Sequence, residues 1–391
     1  MEKESSEPAG SELSIELDGN RLTFLPGGGD RLEALIALID NARRNLRIFF
    51  YIFKDDASGS KVRDALLVAR RRGVEITILI DGFGSEDVGP AFFKPLVDAG
   101  CQFCRFEPRW GRRYLLRNHQ KLALADERCA LTGGFNLADD YFGDAGQRAW
   151  RDLGVLVEGP AAAPMASYCD DLFAWARLKN GRMREIRHML ERHSQNEGRI
   201  RWLLAGPVPR LSPWTRAIRH DMAQTNRIDL IAAYFSPNRA MLRRICDIAA
   251  RGWARIVTAA KSDNGATVGA ARHTYWRLLR HGVGIHEYRP TKLHTKLFVF
   301  DRAVHVGSAN FDMRSLYLNL ELMLRIEDER LAEMMRGFVD GEVGQSLEIS
   351  RSLQKRQRSW FNRLKWALCY FIVATADYNV ARRLNFGVSG R

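Results

Sequence analysis

The chain has 391 residues, 46% hydrophobic and 10% aromatic, a composition that suits packed globular structure and excludes an intrinsically disordered protein. Its formal charge of +14 points to an anionic partner, either nucleic acid or an acidic lipid surface, without choosing between them. The longest apolar run, residues 366–376, falls short of the ~18 residues needed to span a bilayer, and six scattered cysteines favour a reduced, cytosolic setting.

Residues 1–20 are polar and acidic, with no apolar stretch of the kind a signal peptide needs, and are expected to form a disordered tail. The run Gly27, Gly28, Gly29, Asp30 lacks a following Lys-Ser/Thr and reads as a turn rather than a phosphate loop. Leu32, Leu35, Ile36 and Ile39 have helical spacing, and residues 46–53 (LRIFFYIF) predict a buried strand. A helix over 61–72 stops at Gly73 and leads to a second buried strand over 74–80, which together read as a parallel α/β unit. A further helix over 91–99 ends at Gly100. The CxxC of Cys101 and Cys104 that follows has no second pair to complete a zinc site.

The order then returns. A strand over 228–235, a helix over 241–250, a strand over 254–260 and a helix ending at Gly282 replay the first half, which marks an internal repeat. The domain plan is a tail over 1–20, a first half over 21–175, a basic connector over 176–205, a second half over 206–350 and a C-terminal segment over 351–391. In that last segment Lys355, Arg356, Arg358, Arg363 and Lys365 flank Trp360, Phe361, Trp366 and Tyr370. This is the composition of a helix lying in a membrane interface, with a helix docked on its own domain as the alternative. The first half also carries a seven-residue insertion before its histidine, including Trp110, Arg112, Arg113 and Tyr114, which reads either as an interfacial lip or as a loop packed on its own domain.

Each half holds the same polar constellation. His294 and Lys296 stand two residues apart on a predicted strand, Asp301 closes it, and Gly307, Ser308, Ala309 and Asn310 follow in a small-residue turn. His119, Lys121, Asp126, Gly133, Gly134 and Asn136 repeat the pattern. A phosphodiester resists nucleophiles because it is negatively charged, so its cleavage without a metal needs fixed positive charge, hydrogen-bond donors, an attacking group and a protonating group. Lys121 and Lys296 suit the charges. Asn136, Asn310 and Ser308 suit the phosphate contacts, and the two histidines suit attack and protonation. Each imidazole also needs an orienting carboxylate, for which Asp152, 33 positions after His119, and Glu321, 27 after His294, are the candidates. Their alternative is a buried ion pair with Arg151 or Arg325.

The paired His, Lys, Asp pattern resembles the phospholipase D superfamily. Within it, the segments RNHQK, GGFNLADDYF, WRDLGVLVEGP and GSANFDMRSLYLNLE are similar to the bacterial cardiolipin synthases, over residues 22–343. The resemblance implies an α/β fold of two repeated α/β/α sandwich halves with one active site at their interface, no cofactor and no metal. It implies catalysis through a covalent phosphohistidine, with His119 as nucleophile, His294 as general acid, and Lys121, Lys296, Asp126 and Asp301 completing the catalytic set, the two aspartates in its more structural part. The implied substrate is phosphatidylglycerol, the implied products cardiolipin and glycerol, and the implied partner an anionic phospholipid membrane rather than nucleic acid. The chain is similar to the shorter type without N-terminal spans, expected to sit peripherally on the cytoplasmic face of the bacterial membrane. Hydrolysis by a phospholipase D or nuclease, and a lipid-binding protein with a dead site, are the competing readings.

Overall fold

The computed structural model describes residues 13–107, 116–143, 149–178, 181–208 and 211–376. The first half supplies β1 (Ser14–Leu17), β2 (Asn20–Leu25), β3 (Asn45–Phe50), β4 (Glu75–Asp81), β5 (Gln102–Phe106), β6 (Lys121–Ala125), β7 (Cys129–Gly133) and β8 (Gly154–Glu158). They form one sheet in the order β1-β2-β8-β7-β6-β3-β4-β5. The second half supplies β9 (Ile200–Ala205), β10 (Arg227–Ala232), β11 (Phe235–Ser236), β12 (Trp253–Ala259), β13 (Gly284–Tyr288), β14 (Lys296–Val299), β15 (Ala303–Gly307), β16 (Phe311–Asp312), β17 (Glu321–Glu327) and β18 (Ser346–Glu348). Its main sheet runs β18-β13-β12-β10-β14-β15-β17-β9, and β11 pairs separately with β16.

The repeat is therefore a repeat of topology. Read inward from β5 and from β13, the series β5-β4-β3-β6-β7-β8-β2 matches β13-β12-β10-β14-β15-β17-β9 strand for strand. Each sheet adds one edge strand of its own, β1 in the first and β18 in the second. The expected parallel unit holds for β3, β4 and β5, but β6, β7 and β8 run antiparallel, so both sheets are mixed.

Two expectations need correction. Residues 13–20 of the supposed tail form the β1–β2 hairpin, in which Ile15 and Leu17 point inward while Glu16 stays exposed. Asp18 and Gly19 both adopt positive φ, 49° and 73°, the geometry of a two-residue hairpin turn matched to strand twist. An acidic composition thus hid a short alternating strand. The connector is likewise not all linker, because β9 pairs antiparallel with β17 and belongs to the second sheet. Residues 1–12, and residues 108–115 of the predicted insertion, lie outside the described residues.

Helices cover both faces of each sheet, which is why the central strands read as unbroken apolar runs. The helices Gly28–Asn41, Ala57–Arg71 and Pro90–Asp98 pack on one face of the first sheet. The helices Pro213–Gln224, Arg239–Arg251 and Gly265–Arg280 do the same for the second. Between the sheets lies one shared core. Leu122, Leu124 and Val155 of the first half meet Leu297, Val306 and Leu322 of the second, with the helices Pro164–Arg177 and Glu329–Gly344 filling the flanks. Burying each such side chain is worth ~1.5–3 kcal/mol, so the halves are locked together rather than hinged. Among the described residues no helix is long and apolar enough to cross a membrane.

Candidate active site

Both histidines lie just ahead of the strand that carries their lysine, in a segment gripped by the opposite half. The backbone N–H of His119 donates to the carbonyl of Leu320 at 3.0 Å, and that of Leu320 donates to Arg117 at 2.9 Å. In the same way, the N–H of His294 donates to Arg151 at 2.7 Å and that of Arg151 donates to Lys292 at 2.8 Å. Because Glu321 follows Leu320 and Asp152 follows Arg151, each bridge lays a histidine beside the acid of the other half. His119 Nδ1 is 2.9 Å from Glu321 Oε2, and His294 Nδ1 is 2.7 Å from Asp152 Oδ2. Both candidate acids thus meet a histidine, but the pairing crosses between halves rather than running along the sequence.

With Nδ1–H donated to a carboxylate, each ring keeps its Nε2 lone pair for chemistry. The alternative ion-pair reading of these acids does not hold. Arg151 engages Glu342 at 2.6 Å, and Arg325 engages Asp221 at 2.8 Å. Asp152 is fully buried, and burial pushes its carboxyl up, but His294, Lys296 and Arg31 outweigh that and hold it below the usual range. The buried Arg31 guanidinium also donates to the carbonyls of Asp152 and Tyr141, both at 2.8 Å, bracing the acid and a wall of the site.

Ser308 is a correction. Its hydroxyl is buried and donates to Glu321 Oε2 at 2.5 Å while accepting from the N–H of Leu322 at 3.0 Å, so it supports the carboxylate instead of facing a phosphate. Its counterpart Gly134 explains the asymmetry. A Cβ there would lie 2.4 Å from Asp152 Oδ1, so the shorter acid leaves no room for a side chain, whereas the longer glutamate accommodates a serine. Ser308→Ala removes a hydrogen bond to a charged group and is expected to lower kcat by roughly tenfold to a hundredfold with KM little changed, measurable in steady-state assays.

The lysines are buried and each donates to the carbonyl of its own histidine, Lys121 to His119 at 2.5 Å and Lys296 to His294. Burial lowers both amines, with Lys296 adding repulsion at Lys121, to about 7 for Lys121 and about 8 for Lys296. Burial first, and then both lysines, pushes His119 down to about 4 and His294 down to about 3, against the opposing pull of their acids. Both imidazoles are therefore neutral at neutral pH. An incoming phosphodiester anion reverses the repulsion on one of them, so substrate binding and histidine protonation are coupled. The lysines are charged below their depressed values and neutral above them. Since kcat/KM reports the free enzyme, in which one imidazole has still to gain a proton and both lysines must keep theirs, it should fall as pH rises and fall more steeply once pH passes about 7 to 8, and a profile flat to pH ~10 would contradict this account.

Asn136 and Asn310 occupy equivalent places. The side-chain oxygen of Asn136 accepts from the N–H of Ile52, and that of Asn310 from Tyr234, each at 3.2 Å, which turns the amide nitrogens away from the backbone. Asp126 and Asp301 do not join them. Both lie at the far ends of their strands, where Asp126 accepts from the N–H groups of Arg43, Arg44 and Asn45 and Asp301 from that of Asn226. They fasten turns, so their grouping with the catalytic residues is corrected: Asp126 lies five positions along the strand from Lys121, a distance of roughly 17 Å.

The two histidines and two asparagines open onto one cleft of about 650 Å³. Tyr51 lies 4.8 Å from the His119 ring, and Tyr141 and Trp150 lie 5.1 and 5.3 Å from the His294 ring. Arg117 and Arg314 add positive charge to the lining. Buried Asp81 accepts from the N–H of Asn118 at 2.7 Å and so fixes the segment entering His119. These residues escaped sequence reasoning. Arg117, Trp150, Tyr141 and Arg314 had one signal, the family-like segments around the candidates, whereas Tyr51 and Asp81 lie in strands that read only as core.

A family profile described as cardiolipin synthase, PLD-like domain, matches residues 35–175 and 218–340, together more than half of the chain. The chain belongs to this family. Cardiolipin synthase B of Salmonella typhimurium is 30% identical over 373 residues, covering 90% of this chain and 87% of that protein. Cardiolipin synthase 1 of Bacillus anthracis is 29% identical, covering 89% of this chain and 72% of its own length. The crystal structure of phosphatidylserine synthase from Haemophilus influenzae superposes with a TM-score of 0.73 over 95% of this chain and 96% of the other, at 14% identity, and shares the two-half fold. As a member of the cardiolipin synthase family, the chain is an enzyme of the phospholipase D superfamily, with both expected halves present.

Proposed function

We propose that the enzyme transfers a phosphatidyl group from one phosphatidylglycerol to another, making cardiolipin and glycerol through a phosphohistidine. The observation that carries this reading is the crossed pair of histidine–carboxylate contacts on a single cleft in a cardiolipin synthase family member. His119, whose side chain is 13% exposed against 5% for His294, is the more accessible nucleophile.

In the first step His119 Nε2 attacks phosphorus, the bond from phosphorus to the glycerol oxygen breaks, and protonated His294 gives its proton to that oxygen. Lys121 and Lys296 carry the charge of the phosphoryl oxygens, and the amides of Asn136 and Asn310 donate to them. In the second step His294, now neutral, takes the proton from the terminal hydroxyl of a second phosphatidylglycerol. That oxygen attacks phosphorus, the bond to His119 breaks, and cardiolipin leaves. The aromatic side chains of Tyr51, Tyr141 and Trp150 favour transfer over hydrolysis because they crowd both imidazoles and limit access of water.

The test is incubation of the purified chain with phosphatidylglycerol vesicles. Cardiolipin and free glycerol in equal amounts are expected, and phosphatidic acid as the sole lipid product would replace transfer by hydrolysis.

A further inference from the structure

The helix Trp360–Tyr370 and its continuation Phe371–Ala376 present two different faces. Ser359 caps the start by accepting from the N–H of Asn362. One face docks on the second half: Trp366 is buried, Cys369 sits over Gly269, the Tyr370 ring stacks on His273 at 4.9 Å, and its hydroxyl donates to the Pro237 carbonyl at 2.7 Å. The other face is apolar and open to solvent.

Trp360, Phe361, Leu364, Leu368, Phe371 and Ile372 are all exposed, Trp360 by 76%, and at about 3.6 residues per turn they form one stripe. Six of the eleven large apolar side chains exposed among the described residues thus fall in this one short segment, a concentration that isolated surface residues do not reach. Arg363 and Lys365, both exposed, stand on the two edges of the stripe. Two grooves run beside the helix, about 860 and 360 Å³. The larger is lined by Arg239 and Arg277 and the smaller by Arg358 and Arg363, beside Arg272, whose guanidinium is engaged by Glu287 at 2.8 Å; no acidic side chain lines either groove.

We infer that this helix is an interfacial keel, sinking its apolar stripe into an anionic phospholipid surface while the flanking grooves receive phosphate headgroups. An apolar stripe alone would fit another protein. Basic edges and two acid-free cationic grooves select a surface that is apolar within and anionic at its rim. The keel also stands near the cleft: Tyr234 in the cleft and Pro237 under Tyr370 flank the two-residue strand β11. The proposal rests on the phospholipid reading above only for its choice of surface.

The experiment is co-sedimentation of the full chain with phosphatidylglycerol and with phosphatidylcholine vesicles, scored without turnover. Wild type should bind the anionic vesicles, more weakly as salt rises. The variant Trp360→Ser/Leu364→Ser/Leu368→Ser and the variant Arg363→Glu/Lys365→Glu should each bind them at least about tenfold more weakly. All five side chains face water, so both variants keep the fold, and both should turn over short-chain phosphatidylglycerol below its micelle concentration at the wild-type rate. Undiminished vesicle binding by the triple-serine variant would overturn the keel, as would a wild-type dimer that this variant dissociates while still binding vesicles. Binding is read without catalysis, so a failure of phosphatidyl transfer would leave this result standing.

Discussion

Replacing His119 by alanine is expected to abolish cardiolipin formation, with a loss of at least about 10⁴-fold in kcat, equivalent to roughly 5 kcal/mol of barrier. The side chain is the attacking atom in the proposed first step, and a neighbouring group cannot substitute for it. His294 is held by Asp152, and Lys121 points its amine at a carbonyl. Binding of phosphatidylglycerol should survive, because both lysines and both asparagines remain. Single-turnover assays with radiolabelled lipid separate the two quantities. Retained turnover in His119→Ala would move the nucleophile elsewhere.

The second large effect tests the crossing of the halves. Glu321→Gln leaves the shape of the site intact but removes the charge that orients His119 and stabilises its imidazolium character. A loss of about 10² to 10⁴-fold is expected. Since Glu321 serves His119, the loss should appear in the step that forms the covalent intermediate. Asp152→Asn serves His294 and should affect both leaving-group protonation and acceptor activation. With a phosphatidyl donor whose leaving group is p-nitrophenol, protonation is no longer needed. Asp152→Asn should then release p-nitrophenol at close to the wild-type burst rate and stall afterwards, whereas Glu321→Gln should show a slow burst. Reversed behaviour would mean that the acids act within their own halves.

Much of the architecture was legible because buried strands are long apolar runs and because the repeat supplied its own check. The helices that end at Gly100 and at Gly282 stand at equivalent points of the repeat, and β5 and β13, which follow them, occupy equivalent places in the two sheets. The histidines, lysines and asparagines were legible for a chemical reason, since few residue types suit a phosphodiester. What escaped depended on contacts between distant segments. The bridges of Asn118 to Leu320 and of Arg151 to Leu293 decide which acid meets which histidine, and no linear spacing encodes them. Ser308 misled because a serine in a glycine turn beside a phosphate site looks like a phosphate ligand, whereas one methylene more in Glu321 than in Asp152 puts a carboxylate within its reach. Asp126 and Asp301 were grouped with the catalytic pair by motif, yet the strand between carries them to the other end of the sheet.

The account's central claim is a covalent bond between the phosphatidyl group and His119, resolved by His294. It is tested most directly in the His294→Gln variant, mixed with phosphatidyl-p-nitrophenol, quenched and digested for peptide mass spectrometry. The leaving group departs without an acid, and the missing base stalls the second step, so the adduct should accumulate. The account predicts a stoichiometric burst of p-nitrophenol and a phosphatidyl adduct on the peptide containing His119. A burst without any adduct, or an adduct on a different residue, would contradict it.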